Sequence, residues 1–188
     1  MSVFRSVQFA VGLLVLSAAP LAAQTGSQQM PPAPKPGPEH EVFKLDEGTW
    51  DAVVEFVMAP GQPPMMSKGV EVNTIGCGGL CLITDFKGEM MGGSFQGHGL
   101  VTWDIVKKKY VGSWTDSMSG GLAITEATHD PAKKQISGWM EGPDASGKVM
   151  KMRSVSEYKD GTRVMTGFGP GPDGKEMQMM KITYTKRK

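Results

Sequence analysis

Two cysteines are the first residues whose spacing suggests chemistry. They are Cys77 and Cys81, with Gly78-Gly79-Leu80 between them. Residues four apart in an extended strand lie about 13 Å apart, whereas a disulfide needs Cα atoms within about 7 Å. Because two glycines let the chain turn back, the spacing predicts a disulfide at a hairpin tip. A redox pair is disfavoured because no helix N-terminus is present to lower a thiol pKa. A metal site is also disfavoured, because two thiols alone supply too few ligands.

Methionine is the second candidate ligand, with 15 residues in the chain. Met150 and Met152 share one face of an expected strand, and Met177 and Met179 share one face of another. Because thioether sulfur binds Cu(I), these residues suggest a methionine-based copper-binding protein as an alternative. We favour the second role of methionine, which is to fill irregular cores and to line adaptable ligand-binding surfaces.

The remaining reactive residues form no catalytic motif. His98 and His129 have no serine or cysteine motif to activate, and Glu89 and Asp116 form a carboxylate pair only if the fold joins them. The sequence has no phosphate-binding loop, zinc spacing or nucleophile elbow. We therefore predict neither an enzymatic activity nor a cofactor.

Ten short runs of β-type sequence must position these residues. Turn chemistry such as Gly92-Gly93, Asp130-Pro131 and Asp160-Gly161 bounds the runs. Because short links join neighbouring antiparallel strands, the sequence predicts an all-β, antiparallel, up-and-down barrel of about ten strands. A short helix or irregular segment at residues 39–46 is expected to plug one end. The expected strands are residues 49–58, 67–75, 80–87, 94–103, 109–116, 122–129, 135–141, 148–158, 162–168 and 176–185.

A barrel of this size holds one small ligand or fills its interior with side chains, and ligand cavities are mostly apolar with a few placed polar groups. We therefore predict binding of a small apolar or amphipathic molecule inside the barrel. In the alternative, a solid barrel for structure or interaction, Trp50 is a plug and Trp114 is core. The period-two pattern places Met180, Ile182 and Tyr184 inward and Met177 and Met179 on the opposite face. The candidate lining residues are Trp50, Phe56, Trp103, Tyr110 and Trp114, with Asp116, Glu126 and Arg153 as the polar groups.

The N-terminus predicts the compartment. Residues 1–23 resemble a secretory signal, in which Arg5 precedes an apolar run from Phe9 to Leu16 and small residues end at Ala23. That run is shorter than the about 20 residues that span a bilayer, so an uncleaved anchor helix is the less favoured alternative. Residues 24–40 are expected to form a disordered Pro/Gln-rich linker, and residues 41–188 a single domain. We expect an exported protein, periplasmic or secreted, with no stable membrane span.

Charge excludes one class of partner. The chain has a formal net charge of +1, and Arg5 is the only charge in the signal. A nearly neutral domain argues against a nucleic-acid binder, which carries a clustered basic excess. The one basic run, Lys107-Lys108-Lys109, lies in an expected turn, where lysines serve solubility and discourage edge aggregation.

Several motifs in order resemble domain of unknown function 1579, over nearly all of residues 36–188. The resemblance implies a lipocalin-like (calycin) barrel and implies no function; the two cysteines depart from the family pattern. The Gly-Thr-Trp opening also resembles nitrobindin-type barrels, which hold haem through a late histidine, but none of this chain's three histidines lies in the last three expected strands. The motifs are Pro36-Gly37-Pro38-Glu39-His40, Gly48-Thr49-Trp50, Lys87-Gly88-Glu89-Met90-Met91-Gly92, Trp103-Asp104, Lys107-Lys108-Lys109-Tyr110, Trp114, Asp116-Ser117-Met118, Gly171-Pro172-Asp173-Gly174-Lys175-Glu176 and Ile182-Thr183-Tyr184-Thr185.

Overall fold

The structure, a computed structural model, describes residues 32–188 of the chain. The predicted signal peptide and the predicted linker up to residue 31 lie outside the described residues. A 3₁₀ helix, Pro38–Val42, leads directly into α1, Phe43–Asp46, as expected for residues 39–46. This segment begins before the predicted domain boundary at residue 41. Gly37 N–H donates to Nδ1 of His40 at 3.0 Å, and the His40 ring is buried.

Ten strands follow α1, and each pairs antiparallel with its neighbour in sequence. β1 also pairs with β10, from Trp50 opposite Lys186 to Phe56 opposite Met180, and this pairing closes the barrel. The predicted all-β, antiparallel barrel of ten strands is therefore confirmed. The strands are β1 (Gly48–Phe56), β2 (Met65–Gly76), β3 (Cys81–Met90), β4 (Gly93–Asp104), β5 (Lys109–Asp116), β6 (Leu122–Asp130), β7 (Gln135–Pro143), β8 (Val149–Lys159), β9 (Thr162–Pro170) and β10 (Glu176–Lys186).

The N-terminal helical segment covers one end of the barrel, which we call the closed end. Val42 and Phe43 pack against Leu82 and Tyr110. The Tyr110 hydroxyl donates to the backbone oxygen of Glu39 at 2.8 Å, so the segment is fastened by a hydrogen bond as well as by apolar contact. No helix within residues 32–188 has the length and apolar character needed to cross a bilayer.

Beneath this segment lies a network of buried charges. Arg163 binds the carboxylates of both Asp46 and Glu71. The Tyr158 hydroxyl donates to Oδ1 of Asp46 at 3.0 Å, and Nδ2 of Asn73 donates to Oε1 of Glu71 at 2.7 Å. Because a buried charge is tolerated only when it is paired and hydrogen-bonded, these contacts allow the charges to lie inside the barrel.

The predicted disulfide between Cys77 and Cys81 is present, with Cα atoms 5.5 Å apart. It closes the short turn between β2 and β3, a 3₁₀ segment that spans Cys77–Gly79. Gly78 and Gly79 have φ values of 66° and 96°, a conformation that glycine adopts without steric cost. The two glycines therefore provide the reversal that the spacing predicts.

Candidate functional site: the lumen of the barrel

Side chains fill only one part of the barrel interior. No residue of β6, β7 or β8 is buried. The inner faces of these strands therefore stay partly accessible to solvent; we call the space that they border the lumen, and the end of the barrel opposite α1 the open end. The buried apolar cluster that fills the other part comes from β1, β3, β4 and β10, and consists of Trp50, Ala52, Val54, Phe86, Phe95, Ile182 and Tyr184.

Methionine side chains line the lumen on β7 and β8. Met140 lies opposite Met152, and Met150 lies opposite Gly142. Period-two alternation puts Met150 and Met152 on the same face as Tyr158, which reaches Asp46 inside the closed end. All three methionines are half-buried, so their flexible apolar side chains remain available to a ligand.

Two glycines of β9 make room for methionines from both neighbouring strands. A methyl group on Gly169 would lie 2.5 Å from the sulfur of Met179 and 3.6 Å from Cγ of Met152. A methyl group on Gly167 would lie 3.1 Å from Cε of Met152 and 3.7 Å from Cε of Met180. Thioether side chains of β8 and β10 therefore meet over β9, where a larger residue would separate them.

Met179 joins this wall because of a β-bulge in β10. The register with β9 shifts between Gln178 and Met180, and a bulge locally re-aims side chains. Met180, Ile182 and Tyr184 face inward as predicted. The predicted placement of Met177 and Met179 on the opposite face is wrong, because strict alternation along the sequence does not anticipate the extra residue. Met177 lies opposite Gly169 and shares its inward face.

An indole ring and a carboxylate lie on the opposite wall. Trp114 lies over Gly97 and Gly99 of the neighbouring strand, where a methyl group on Gly97 would be 2.2 Å from Cζ2 of Trp114. Nε1–H of Trp114 donates to Oδ2 of Asp116 at 2.9 Å. Oδ1 of Asp116 accepts backbone N–H groups from the following turn, each at 2.8 Å. Asp116 thus fixes the indole ring and the β5–β6 turn at the open end.

Comparison with known proteins identifies the family of this chain. The chain matches Protein of unknown function (DUF1579) over residues 35–186. It belongs to that family. No curated protein matches the chain. The crystal structure of Rv2717c from M. tuberculosis is similar, with a TM-score of 0.63 and 11% sequence identity. The match covers 81% of this chain and 99% of that chain. At this identity the likeness concerns the fold alone. A redesigned beta barrel has a TM-score of 0.41 and 15% identity, covering 78% of this chain and 95% of its own.

In this DUF1579 barrel, the aromatic residues predicted to line the lumen lie in two places. Trp103 and Tyr110 pack together in the closed-end core, with ring centroids 4.9 Å apart. Trp50 is buried beneath α1, and its Nε1–H donates to the backbone oxygen of Asp46 at 2.7 Å. This position matches the alternative in which Trp50 plugs one end of the barrel. Phe56 and Trp114 are half-buried near the open end and border the lumen.

Two of the three predicted polar groups lie on the outer wall, so their assignment to the lumen is wrong. Glu126 pairs with Lys107 at 2.6 Å and with Lys109 at 3.2 Å, and these hydrogen bonds hold its pKa below the usual value. Arg153 forms two hydrogen bonds with Glu176 and stacks on the Phe168 ring. The outer face of this wall carries aromatic residues, whereas the inner face carries methionine and serine. Both faces therefore mix polar and apolar residues, and side-chain polarity could not show which face is inward.

The outer surface also carries two open grooves. One, of about 590 Å³, surrounds Phe168 and Arg153. Glu176 is the charged partner of Arg153. The other, of about 780 Å³, lies at the closed end beside Lys133, Lys134 and Lys159. Both grooves are open to solvent, whereas sites for small apolar ligands bury most of the ligand surface, so the lumen remains the candidate site for such a ligand.

Proposed function

We propose that the protein is an exported barrel that binds one small apolar or amphipathic molecule in its lumen. The observation that supports the proposal is the uneven packing of the interior: buried clusters fill the closed end and the β1, β3, β4 and β10 side, whereas the methionines on the inner faces of β7 and β8 are only half-buried. The Cys77–Cys81 disulfide and the signal-like residues 1–23 support export, because disulfides persist in oxidising compartments. We assign no catalytic activity to this protein.

The charges of the interior define the ligand class. The Arg163 network lies in the closed end, and its charges are already paired. The lumen wall offers neutral Thr125 and Ser154 beside the methionines, while Asp116 lies at the open end. The ligand should therefore place its apolar body against the methionines and any polar group toward the open end. Methionine adapts to irregular shapes, so several related ligands should fit.

Displacement of a fluorescent probe tests this function. Anilinonaphthalene sulfonate should bind with one saturable site and should be displaced by dodecanoate. Thr125→Phe fills the lumen from β6, whereas Thr128→Phe adds the same ring to the exposed outer face of that strand. We expect Thr125→Phe to abolish the displaceable signal and Thr128→Phe to retain it, with circular dichroism confirming that both fold. Equal binding by the two variants, or no saturable site in the parent, refutes the proposal.

A second candidate function, Cu(I) binding, is supported by the approach of Met152 and Met179 to the same point over Gly169. Soft thioethers select Cu(I), and these side chains are flexible enough to converge on one ion. Titration of Cu(I) against a competing chelator tests this candidate. Met152→Leu with Met179→Leu keeps the apolar volume and removes both sulfurs, so copper binding should be lost while probe binding remains. Affinity that is micromolar or weaker in the parent eliminates the copper function.

A further inference from the structure

Two turns at the closed end share one geometry. After β4, Oδ1 of Asp104 accepts the backbone N–H groups of Val106 and Lys107, each at 2.8 Å. The turn after β6 is built in the same way from Asp130, whose Oδ1 accepts the N–H groups two and three residues later at 3.1 and 3.2 Å. The fifth residue is a lysine with positive φ in both turns, Lys108 at 51° and Lys134 at 50°.

The two turns differ at their tips. The turn after β6 has Pro131-Ala132, which suits a turn, whereas the turn after β4 has Ile105-Val106 at the equivalent positions. Ile105 and Val106 are 77% and 87% exposed, the highest values among the large hydrophobic residues of the described chain. Because the same geometry forms with proline and alanine, the turn itself does not require the two apolar side chains.

Lysines flank this apolar tip. Lys107, Lys108 and Lys109 follow it directly, and Glu126 pairs with only the first and third of them. The neighbouring turn adds Lys134 and also Lys133, which pairs with Asp130 at 3.3 Å. These two lysines and Lys159 line the closed-end groove of about 780 Å³, whose lining also contains Glu157 and Asp160.

We propose that the closed end docks on an anionic lipid surface. Ile105 and Val106 enter the boundary between headgroups and acyl chains, while the lysines of the two turns contact lipid phosphates. Buried apolar area and attraction to anionic lipids are the two contributions that hold interfacial segments. Two side chains form too small a patch for a stable protein interface, which buries at least about 1,200 Å². The open end then faces away from the membrane, and docking does not depend on the lumen being a binding site.

Vesicle flotation tests the docking. The full chain should float with vesicles of phosphatidylcholine and phosphatidylglycerol and not with phosphatidylcholine alone, and high salt should release it. The matched variant, Ile105→Pro with Val106→Ala, copies the tip of the second turn and should lower the partition coefficient by about tenfold or more. Lys108→Gln should lower the partition coefficient by about fivefold. Parent and variants share the same N-terminal residues, so the difference between them is due to the tip.

A dye at the tip provides an independent readout. The only two cysteines form the disulfide, so Val106→Cys introduces one free thiol for a nitrobenzoxadiazole dye. Its emission should rise and shift to the blue with anionic vesicles, while the same dye on Ala132→Cys should change less. Any of three results overturns the proposal. The Ile105→Pro, Val106→Ala variant floats as well as the parent, the parent binds neutral vesicles as well as anionic ones, or the parent binds neither kind of vesicle. A change in oligomeric state without vesicle binding would instead assign the tip to self-association.

Discussion

Arg163 of β9 holds Asp46, the last residue of α1, although 117 residues separate them in the chain. The same guanidinium also binds Glu71 of β2 and lies over the rings of Tyr184 and Trp50. One side chain therefore connects the helical segment to strands on both sides of the barrel closure. The stability of the closed end should depend on it more than on any surface ion pair.

Replacing this arginine tests that dependence. Arg163→Met leaves the buried carboxylates of Asp46 and Glu71 without their cation, and breaking a buried pair costs about 3–5 kcal/mol. The free energy of unfolding, measured by urea denaturation, should fall by that amount. Arg187→Met is the matched control, because Arg187 pairs with Asp51 on the exposed surface and exposed pairs contribute little. Similar losses of unfolding free energy in the two variants would show that the buried network contributes no more to stability than an exposed ion pair.

The chain has three tyrosines, Tyr110, Tyr158 and Tyr184, and the pKa of each is raised above its usual value, chiefly by burial. Above about pH 10 the unfolded chain therefore loses phenolic protons that the folded chain keeps, so stability falls as pH rises. Tyr158 and Tyr184 should each contribute a slope of about 1.4 kcal/mol per pH unit. The tyrosinate absorbance of Tyr158 and Tyr184 should appear only together with unfolding.

Tyr184→Phe provides the control for this alkaline behaviour. It keeps the ring beneath Arg163 and removes one ionisable group, so the slope of stability against pH should become shallower. A gradual rise of tyrosinate absorbance in the folded protein that corresponds to more than one tyrosine, starting near pH 10, would show that solvent reaches the hydroxyl of Tyr158 or Tyr184.

The disulfide should stabilise the barrel modestly, because it closes a very short loop. Chain-entropy arguments give about 2 kcal/mol for a loop of this size. Cys77→Ala with Cys81→Ala should lower the free energy of unfolding by about that amount, and a reductant should lower the stability of the parent but not that of the double variant. Alanine is chosen because Cys81 is buried. A reductant effect on the double variant would point to a cause other than this bond.

The lumen wall should be sensitive at Gly97. Gly97→Ala places a methyl group 2.2 Å from the Trp114 ring, so the indole must move from its hydrogen bond with Asp116. Overpacking of this kind costs about 1–3 kcal/mol, and near-ultraviolet circular dichroism should change. Gly93→Ala in the same strand is the control, since its methyl group would have no neighbour closer than 3.7 Å. Unchanged spectra for Gly97→Ala would mean that the ring is not fixed there.

The sequence predicted the barrel because local signals define each strand. Trp50, Ala52 and Val54 share one face of β1 and Asp51 and Glu55 the other, and the Gly78-Gly79 turn explains the disulfide.

Long-range features of the site could not be predicted in the same way. The partners of Arg163 are 92 and 117 residues away, so no local pattern reveals them. Glu126 and Arg153 were misplaced because β6 and β8 carry polar residues on both faces. The bulge at Met179 breaks strict alternation without any glycine or proline to signal it.

Methionine methyl NMR tests the central claim most directly, because the methionines of residues 32–188 report on the lumen and on the outer surface in one experiment. With ¹³C-methyl-labelled protein, titration with dodecanoate should shift the resonances of Met140, Met152 and Met179 in a saturable manner. The resonances of Met66 and Met91, which are exposed, should stay in place. Shifts confined to the exposed methionines, or no saturable shift at all, would contradict ligand binding in the lumen.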